Sequence, residues 1–204
     1  LQVGHLVRFS GVVEALRHQV KRPLYIDSVR IAPFKPRGTD VNVILDLMVH
    51  DLDLILSLVD SPLISLDAAG APVISPSEDI ASARLKFANG CIANITASRI
   101  SLKTERKMRI FEPDIYVTVD FDAQRIRTLR KGTGSMLPGI PKIDSKEQQY
   151  DEGDALEKEI ASFVDAVSNK RPPIVSGEDG VKALEAALQV TDSLRDHLEF
   201  VRRA

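Results

Sequence analysis

Cysteine is almost absent from this 204-residue sequence, in which Cys91 is the single occurrence. A lone cysteine excludes a disulfide framework within the chain, and this suits the reducing environment of the cytosol. Cys91 follows Asn89-Gly90 in a predicted strand, and no histidine lies near it in the sequence. We therefore interpret it as a small buried residue rather than as a nucleophile.

The sequence also lacks a strong charge excess and any long apolar run. It contains 27 Lys and Arg against 29 Asp and Glu, which gives a net charge of −2 and a pI of about 6.1. This balance argues against nucleic acid as the main partner. No apolar run is long enough to span a bilayer. With 44% hydrophobic and 27% charged residues the composition is that of an ordinary globular domain, and we expect a cytoplasmic location.

Two further features are missing, a signal peptide and a dinucleotide-binding motif. The chain begins with Leu1 rather than Met, without signal-peptide architecture, and opens directly on an apolar segment. This predicts a piece of a longer protein whose missing part lies upstream. No G-x-G-x-x-G opens a strand–turn–helix unit, and Gly132-Thr-Gly-Ser lacks that context. We therefore expect no dinucleotide-binding fold in this chain.

What the sequence does contain is one unusual helix, predicted over residues 43–59. The stretch has no Gly or Pro, and Asp40 or Asn42 precedes it as a candidate N-cap. Apolar residues lie nearly all round the predicted helix, so it should be buried on most sides.

Acidic residues and one imidazole interrupt this apolar helix. Asp46, His50 and Asp53 are spaced i, i+4, i+7, which predicts that they share one face. Buried carboxylates are costly unless they are paired or face a wet cavity, so this face is interpreted as the wall of a cleft. A histidine one turn from a carboxylate is a tunable acid or base. A structural role in capping or ion pairing is the alternative, and the pattern alone favours it. A single histidine gives little support to a metal site.

The rest of the sequence predicts an α+β fold with a mostly antiparallel, open-faced sheet of about six strands and helices packed on one face. Asn89-Gly90 is its strongest hairpin signal. The uncovered face of such a sheet is a candidate subunit interface for a homo-oligomer. Strands are predicted at 1–9, 24–32, 65–74 in two pieces, 80–87, 91–98, 106–111, 116–121 and 125–130.

The C-terminal third is predicted to hold a loop and two helices. Residues 132–153 show no periodicity and are predicted to be a loop. Asp154 caps a helix over 155–170, and Ser176 with Asp179 caps the last helix. Each helix has an apolar stripe that is expected to be core. The stripes consist of Leu156, Ile160, Phe163, Val164 and Val167, and of Val181, Leu184, Leu188, Thr191, Leu194 and Leu198.

Three motifs in register resemble those of the Gfo/Idh/MocA family of NAD(P)-dependent oxidoreductases. Asp46-Leu-Met-Val-His-Asp-Leu-Asp53 resembles the family's D-x-x-x-H-D-[IL]-D helix. Val3-Gly-His-Leu-Val-Arg-Phe9 resembles the G-[HY]-x-x-R-F segment that enters the family's second domain. Asn169-Lys-Arg-Pro-Pro173 and Val175-Ser-Gly-Glu-Asp-Gly180 resemble its N-G-R-P-P…V-[ST]-G-E-D-G segment. The resemblance covers nearly the whole chain.

The resemblance implies a substrate-binding C-terminal domain whose N-terminal Rossmann domain, the main binder of NAD or NADP, is absent from this chain. His50 would accept the hydroxyl proton as hydride leaves the same carbon for nicotinamide. Asp46 would bind a neighbouring hydroxyl or orient the imidazole. Arg8 would contact the cofactor or the substrate at the domain junction, with an interdomain salt bridge as the alternative.

Four further cations are candidate substrate contacts. Lys35 and Arg37 lie in a loop directly before the buried helix, where they could meet phosphate or carboxylate groups, although a solvated loop is equally compatible with the sequence. Arg99 and Lys103 follow the hairpin strand and are expected at the same cleft.

The resemblance is greatest to members acting on nucleotide sugars, with UDP-N-acetylglucosamine-type 3-dehydrogenation as the example. A non-catalytic module that assembles through its sheet face is the main alternative. A hydrolase ranks last, because one helix face does not supply paired carboxylates across a cleft.

Overall fold

The computed structural model describes residues 1–35, 40–137, 140–151 and 153–203. They contain a sheet whose strands are β1 (Tyr25–Ile31), β2 (Leu63–Ala71), β3 (Ile80–Phe87), β4 (Ile92–Ser98), β5 (Glu105–Glu112), β6 (Ile115–Asp120), β7 (Arg125–Leu137) and β8 (Ile140–Gln149). The helices are α1 (Gly11–Gln19), α2 (Val49–Val59), α3 (Ala155–Ser168) and α4 (Gly177–Arg203). A 3-10 turn at Leu6–Phe9 precedes α1, and a π-helical segment at Ile44–Met48 leads directly into α2.

The sheet is open and mostly antiparallel, in the order β2-β3-β4-β1-β5-β6-β7-β8. The exception is the central pair β1 and β4, which run parallel from Tyr25 opposite Ile92 to Ile31 opposite Ser98. The predicted α+β class and open antiparallel sheet are confirmed.

The predicted number of strands is wrong: the sheet has eight strands rather than about six. One strand was missed outright: residues 132–153 were predicted to be a loop, but they contain the end of β7 and all of β8. The two strands pair, for example, between Arg130 and Asp144. The described side chains of β8 are mostly solvent-exposed on both faces, so the apolar alternation that marks a half-buried strand is missing.

Two smaller predictions about strands also need correction. Residues 1–9 form no strand of the sheet, but an isolated bridge between Gln2 and Ser176 followed by the 3-10 turn. The two pieces predicted at 65–74 are one continuous strand, β2, that passes through Gly70. A side chain at Gly70 would lie 2.7 Å from Leu194 Cδ1 of α4, so glycine permits the close approach of helix and strand.

The core lies between the sheet and helices α1, α2 and α4. Alternate residues of the central strands point towards these helices and are buried, as in β1, where Ile26, Ser28 and Arg30 face inwards. The intervening residues form an open face that is largely polar, with ion pairs such as Arg109–Asp27 across neighbouring strands. Burial of one face only therefore explains the period-two pattern of the sequence.

Several local signals in the sequence are confirmed by hydrogen bonds. Gly90 at the β3–β4 hairpin has φ +87°, a conformation that glycine adopts without strain. Asp154 accepts hydrogen bonds from the N–H groups of Leu156 and Glu157 at the start of α3. Ser176 and Asp179 form reciprocal side chain–backbone hydrogen bonds of 3.0 and 3.2 Å at the start of α4.

The expectation that both C-terminal stripes are core is wrong for most of their residues. The five stripe residues of α3 are 44 to 62% exposed, and Val181, Leu184 and Leu188 of α4 are about half exposed. The α4 helix instead buries a neighbouring face rich in small residues, comprising Ala183, Ala186, Ala187, Val190 and Leu194. Within the described residues no helix has the length and apolar character needed to cross a membrane.

Candidate active site

The polar helix predicted at 43–59 begins as a π-helical segment and continues as α2. Asn42 Oδ1 accepts a hydrogen bond of 3.0 Å from Leu45 N–H, so Asn42 caps the segment. A π turn takes up one residue more than an α turn, and side chains beyond it are therefore rotated relative to those before it. Such turns are frequent at functional sites. The sequence alone contains no signal for this rotation.

The three residues of the predicted polar face differ in their exposure. Asp53 is fully buried in the core, whereas Asp46 and His50 are partly exposed. Asp46 lines a cavity of about 470 Å³ between the helix and the ends of β1 and β5. A cavity therefore lies beside the helix with Asp46 in its wall. Asp53 does not line it, and neither does His50, which stands one turn beyond Asp46.

Among the described residues, four cations line this cavity together with Asp46. They are Arg30 of β1, Lys35 beyond the end of that strand, Arg99 after β4, and Arg106 of β5. One acidic group among four cations is a setting for an anionic, hydroxyl-bearing ligand. A separate concavity of about 350 Å³ on the open sheet face is lined by side chains that pair with one another, such as Arg127 with Glu147.

Behind His50, the inward carboxylate of Asp51 holds Arg30 in place. Arg30 Nε donates to Asp51 Oδ2, and Ser28 Oγ donates to Asp51 Oδ1 at 3.1 Å. All three side chains are buried. Sequence reasoning missed this network. The available signal was the inward position of Arg30 on a strand whose other inward residues are Ile26 and Ser28, because a buried cation requires a buried acid.

A second buried network ties the helix to the N-terminal segment. Arg8 donates from Nε to Asp53 Oδ2 at 2.7 Å and from Nη2 to Asp53 Oδ1 at 2.5 Å. Its Nη1 lies 3.6 Å from Asp179 Oδ2, which links both groups to the start of α4. The guanidinium is thus committed to contacts within the domain. Cofactor binding by Arg8 stays a prediction.

His5 lies beside the candidate base. Its ring meets that of His50 edge-on, with centroids 6.1 Å apart, and its Nε2 is 3.6 Å from Asp53 Oδ1. Its Nδ1 is buried without a hydrogen-bond partner among the described residues.

The surroundings of His50 keep its imidazole neutral. Burial lowers the pKa of His50 below its usual value of 6.5, and the positive charge of Arg30 lowers it further. His5 and Arg106 act in the same direction, against an opposing effect of Asp51. A neutral imidazole can accept a proton, which is the state that a general base needs.

The cations predicted to bind substrate differ in their burial and in their partners. Arg99 is buried and lines the cavity, but it donates to Asp79 Oδ1, to Val41 O and to the hydroxyl groups of Ser75 and Ser77, at 2.7 to 2.9 Å. It therefore anchors the residues preceding the helix. Lys35 is exposed at the cavity.

Lys103 pairs with Glu105 in solvent, and its neighbour Thr104, rather than Lys103 itself, lines the cavity. Arg37 lies outside the described residues. Substrate binding by these four cations stays a prediction.

The other reactive groups do not extend the site. Cys91 is buried, as predicted, and burial raises its pKa to about 11, which leaves the thiol protonated. In the described part of the chain no three His, Cys, Asp or Glu side chains are grouped so that they could hold a metal ion.

Comparison with known proteins links this geometry to a family. A family model described as the GFO/IDH/MocA C-terminal domain matches residues 12–114. A UDP-N-acetylglucosamine 3-dehydrogenase of Acidithiobacillus ferrooxidans is 37% identical over 200 residues, covering 98% of this chain and 64% of that protein. A solved structure of a UDP-N-acetylglucosamine 3-dehydrogenase from the same bacterium has a TM-score of 0.86 at 38% identity, covering 94% of this chain and 61% of that one.

A more distant structure shares the fold. Levoglucosan dehydrogenase in complex with NADH and L-sorbose has a TM-score of 0.75 at 14% identity, with coverage of 95% of this chain and 63% of that one. The chain thus spans less than two thirds of the length of these relatives.

Proposed function

This chain belongs to the GFO/IDH/MocA family, whose C-terminal-domain model matches residues 12–114. We propose that it is the substrate-binding domain of a dehydrogenase. In this proposal the enzyme oxidises a hydroxyl of a nucleotide sugar with NAD or NADP. The observation that carries the proposal is the position of Asp46 and His50. Asp46 lines the cation-lined cavity, and His50 stands one turn further along the same helix, partly exposed. An acidic group and anion-binding groups thus share one concave site, with a candidate base on the adjacent turn.

The residues present fit a reaction whose hydride acceptor comes from outside this domain. The described part of the site offers a proton acceptor in His50 but no side chain that can take up a hydride. A nicotinamide, when bound, supplies that acceptor. His50 takes the proton of the substrate hydroxyl, while the hydrogen on the same carbon leaves with its electron pair and a carbonyl forms. Asp46 hydrogen-bonds a neighbouring hydroxyl and fixes the sugar before the base.

A nucleotide sugar is the substrate class that agrees with the charge of the cavity. The relative at 37% identity is a UDP-N-acetylglucosamine 3-dehydrogenase. The described lining of the cavity holds four cations and one carboxylate, and two of the cations, Arg30 and Arg99, are paired with buried carboxylates behind the wall. Guanidinium and ammonium groups are the side chains that bind phosphate most readily. We therefore take UDP-N-acetylglucosamine as the first substrate to test.

The exposed stripe of α3 supports a place for this chain within a larger protein. Its five apolar side chains, each 44 to 62% exposed, form a contiguous patch of a kind that usually marks an interface. The cofactor-binding part of the protein, packed against α3, would cover them.

A homo-oligomer formed through the open sheet face is the second part of this proposal. On that face Phe111 of β5 stacks on Tyr116 of β6, with ring centroids 4.6 Å apart, and meets Tyr25 of β1 at a tilt, with centroids 5.6 Å apart. These aromatic rings provide apolar area on a surface that is otherwise charged. Phe111→Asp should therefore dissociate the oligomer on size-exclusion chromatography, whereas Lys86→Asp, on an exposed position of the same face, should not.

The experiment that tests the catalytic proposal follows reduced nicotinamide by absorbance. The full-length protein is mixed with UDP-N-acetylglucosamine and either NAD or NADP. His50→Ala should lower kcat by a factor of about 10² to 10⁴, the usual contribution of general acid–base catalysis. Asp46→Asn should lower kcat by a factor of about 10², because the sugar is then less well positioned before the base.

The control is His18→Ala, because His18 is exposed on α1 outside the cavity and its removal should leave the rate unchanged. Full activity in the His50 and Asp46 variants would refute the assigned roles. If the His50 and Asp46 variants behaved like the wild type and Phe111→Asp abolished assembly, the chain would instead be a non-catalytic assembly module.

A further inference from the structure

The cavity contains one strand-borne cation, Arg106, to which neither sequence reasoning nor the family comparison assigns a role. Resting on the proposed function, we propose that Arg106 binds the phosphate groups of the nucleotide sugar and so sets the preference for a nucleotide-linked substrate. The Arg106 guanidinium is exposed to the cavity, unlike those of Arg30 and Arg99, which are buried.

The register of the sheet determines where Arg106 points. It lies directly opposite Arg30 on β1, and it shares the inward side of β5 with the buried residues Met108 and Ile110. Its backbone is fixed, because its carbonyl accepts a hydrogen bond of 2.9 Å from Phe121 N–H. Arg106 therefore projects towards the helix that carries Asp46 and His50, from the rigid end of a strand.

The charges in the cavity leave Arg106 available to a ligand. Arg30 is paired with Asp51, and Arg99 with Asp79. Arg106 has no ion pair and no side-chain hydrogen bond with any described residue, although Asp122 and Asp51 lie within electrostatic range. A guanidinium beside a second guanidinium is repelled unless an anion joins them, and its planar fork matches two phosphate oxygens.

Lys35 is a weaker candidate for this role on physical grounds. It is exposed beyond the end of β1 on a flexible four-carbon chain, and its ammonium group lacks the planar fork that limits the entropy lost per hydrogen bond. A strand-anchored arginine is better preorganised, so it should dominate phosphate recognition.

The test compares substrates with and without phosphate. In the full-length protein, Arg106→Gln should raise the KM for UDP-N-acetylglucosamine about 10- to 100-fold, the range expected on loss of hydrogen bonds to a charged group. The KM for free N-acetylglucosamine and the KM for the nicotinamide cofactor should stay within about twofold of the wild-type values. Arg106→Lys should show a smaller rise in the KM for UDP-N-acetylglucosamine, because it restores the charge without the planar guanidinium.

The matched control is Arg109→Gln. Arg109 lies three residues further along β5, on the opposite face, where it pairs with Asp27. Calorimetric titration with UDP provides a readout that needs no turnover: the Kd should rise at least tenfold in Arg106→Gln and stay unchanged in Arg109→Gln. The thermal denaturation midpoints of Arg106→Gln and Arg106→Lys should match that of the wild type, which checks that both variants fold.

The possible outcomes distinguish a failure of the proposed function from a failure of the role assigned to Arg106. A wild-type protein that oxidises no nucleotide sugar refutes the proposed function. An active wild-type protein with an unchanged KM and UDP affinity in Arg106→Gln refutes the role of Arg106 alone. An equal loss with free N-acetylglucosamine, or a rise confined to the cofactor KM, also overturns it.

Discussion

The buried pair between Arg8 and Asp53 leads to a prediction that distinguishes a structural from a cofactor-binding role of Arg8. Asp53 has no exposed side-chain surface, and the Arg8 side chain is 3% exposed. Arg8→Met keeps most of the apolar stem but leaves the Asp53 carboxylate buried, with only the His5 ring nearby at 3.6 Å. Breaking a buried ion pair from one side typically costs about 3 to 5 kcal/mol.

This loss of stability converts into a measurable shift of the melting temperature. For a domain of this length, 1 kcal/mol corresponds to roughly 2 to 4 °C, so Arg8→Met should lower the Tm by about 6 to 20 °C in a circular dichroism melt. Replacing both partners, as in Arg8→Met with Asp53→Leu, removes the unpaired charge and should recover most of the stability.

The chain offers a matched control in the pair of Arg171 with Asp165. Arg171 also makes two contacts of 2.9 Å with one carboxylate, but the two side chains are 62 and 55% exposed. Solvent-exposed pairs contribute about 0 to 1 kcal/mol, so Arg171→Met should shift the Tm by less than about 4 °C. An unchanged Tm in Arg8→Met, together with a raised KM for the cofactor, would refute the structural interpretation of Arg8.

Three further predictions follow from pKa values. Because the pKa of His50 lies below 6.5, kcat/KM should fall on acidification only below that pH. Arg106→Gln removes a positive charge that lowers the pKa of His50. In a pH–rate profile this variant should therefore lose activity at a higher pH than the wild type does. Burial raises the pKa of Asp79, but hydrogen bonds from the side chain and N–H of Ser75 and from two neighbouring N–H groups outweigh it and hold the pKa well below its usual range. The stabilisation by Asp79 should therefore be complete above about pH 4 and be lost as the pH falls further, and denaturant titrations of Asp79→Asn should lack that dependence. Cys91, with its pKa raised to about 11, should react with a thiol reagent at neutral pH only after unfolding in denaturant; rapid reaction of the folded protein would contradict its burial.

Local sequence signals predicted the elements that depend on neighbouring residues. The Asn42 cap, the Asn89-Gly90 hairpin and the Asp154 cap each act within a few positions, and each is found where the sequence places it. The strand β8 was missed because it buries little apolar surface. Its existence depends on pairing with β7 rather than on a hydrophobic pattern.

The partly exposed positions of Asp46 and His50 on one helix could be predicted from the sequence, but the ion pairs around them could not. Arg8 lies 45 positions from Asp53, and Arg30 lies 21 positions from Asp51. No local periodicity connects residues at such separations, and only the strand order and register bring them together. The same holds for Arg106, which the antiparallel register of β1 and β5 sets opposite Arg30.

The helix that carries His50 shows why a straight-helix pattern misassigned one of its acids. In a regular α-helix, Asp53 would lie almost directly beyond Asp46, two turns along the same face. The π-helical segment at Ile44–Met48 contains Asp46 and takes up an extra residue, so the side chains beyond it are rotated relative to Asp46. Asp53 consequently turns inwards to Arg8, while Asp46 stays at the cavity. If the extra residue sets this division, deletion of Leu47 should restore a regular helix, rotate Asp46 away from the cavity and abolish turnover, whereas Leu47→Ala should preserve it.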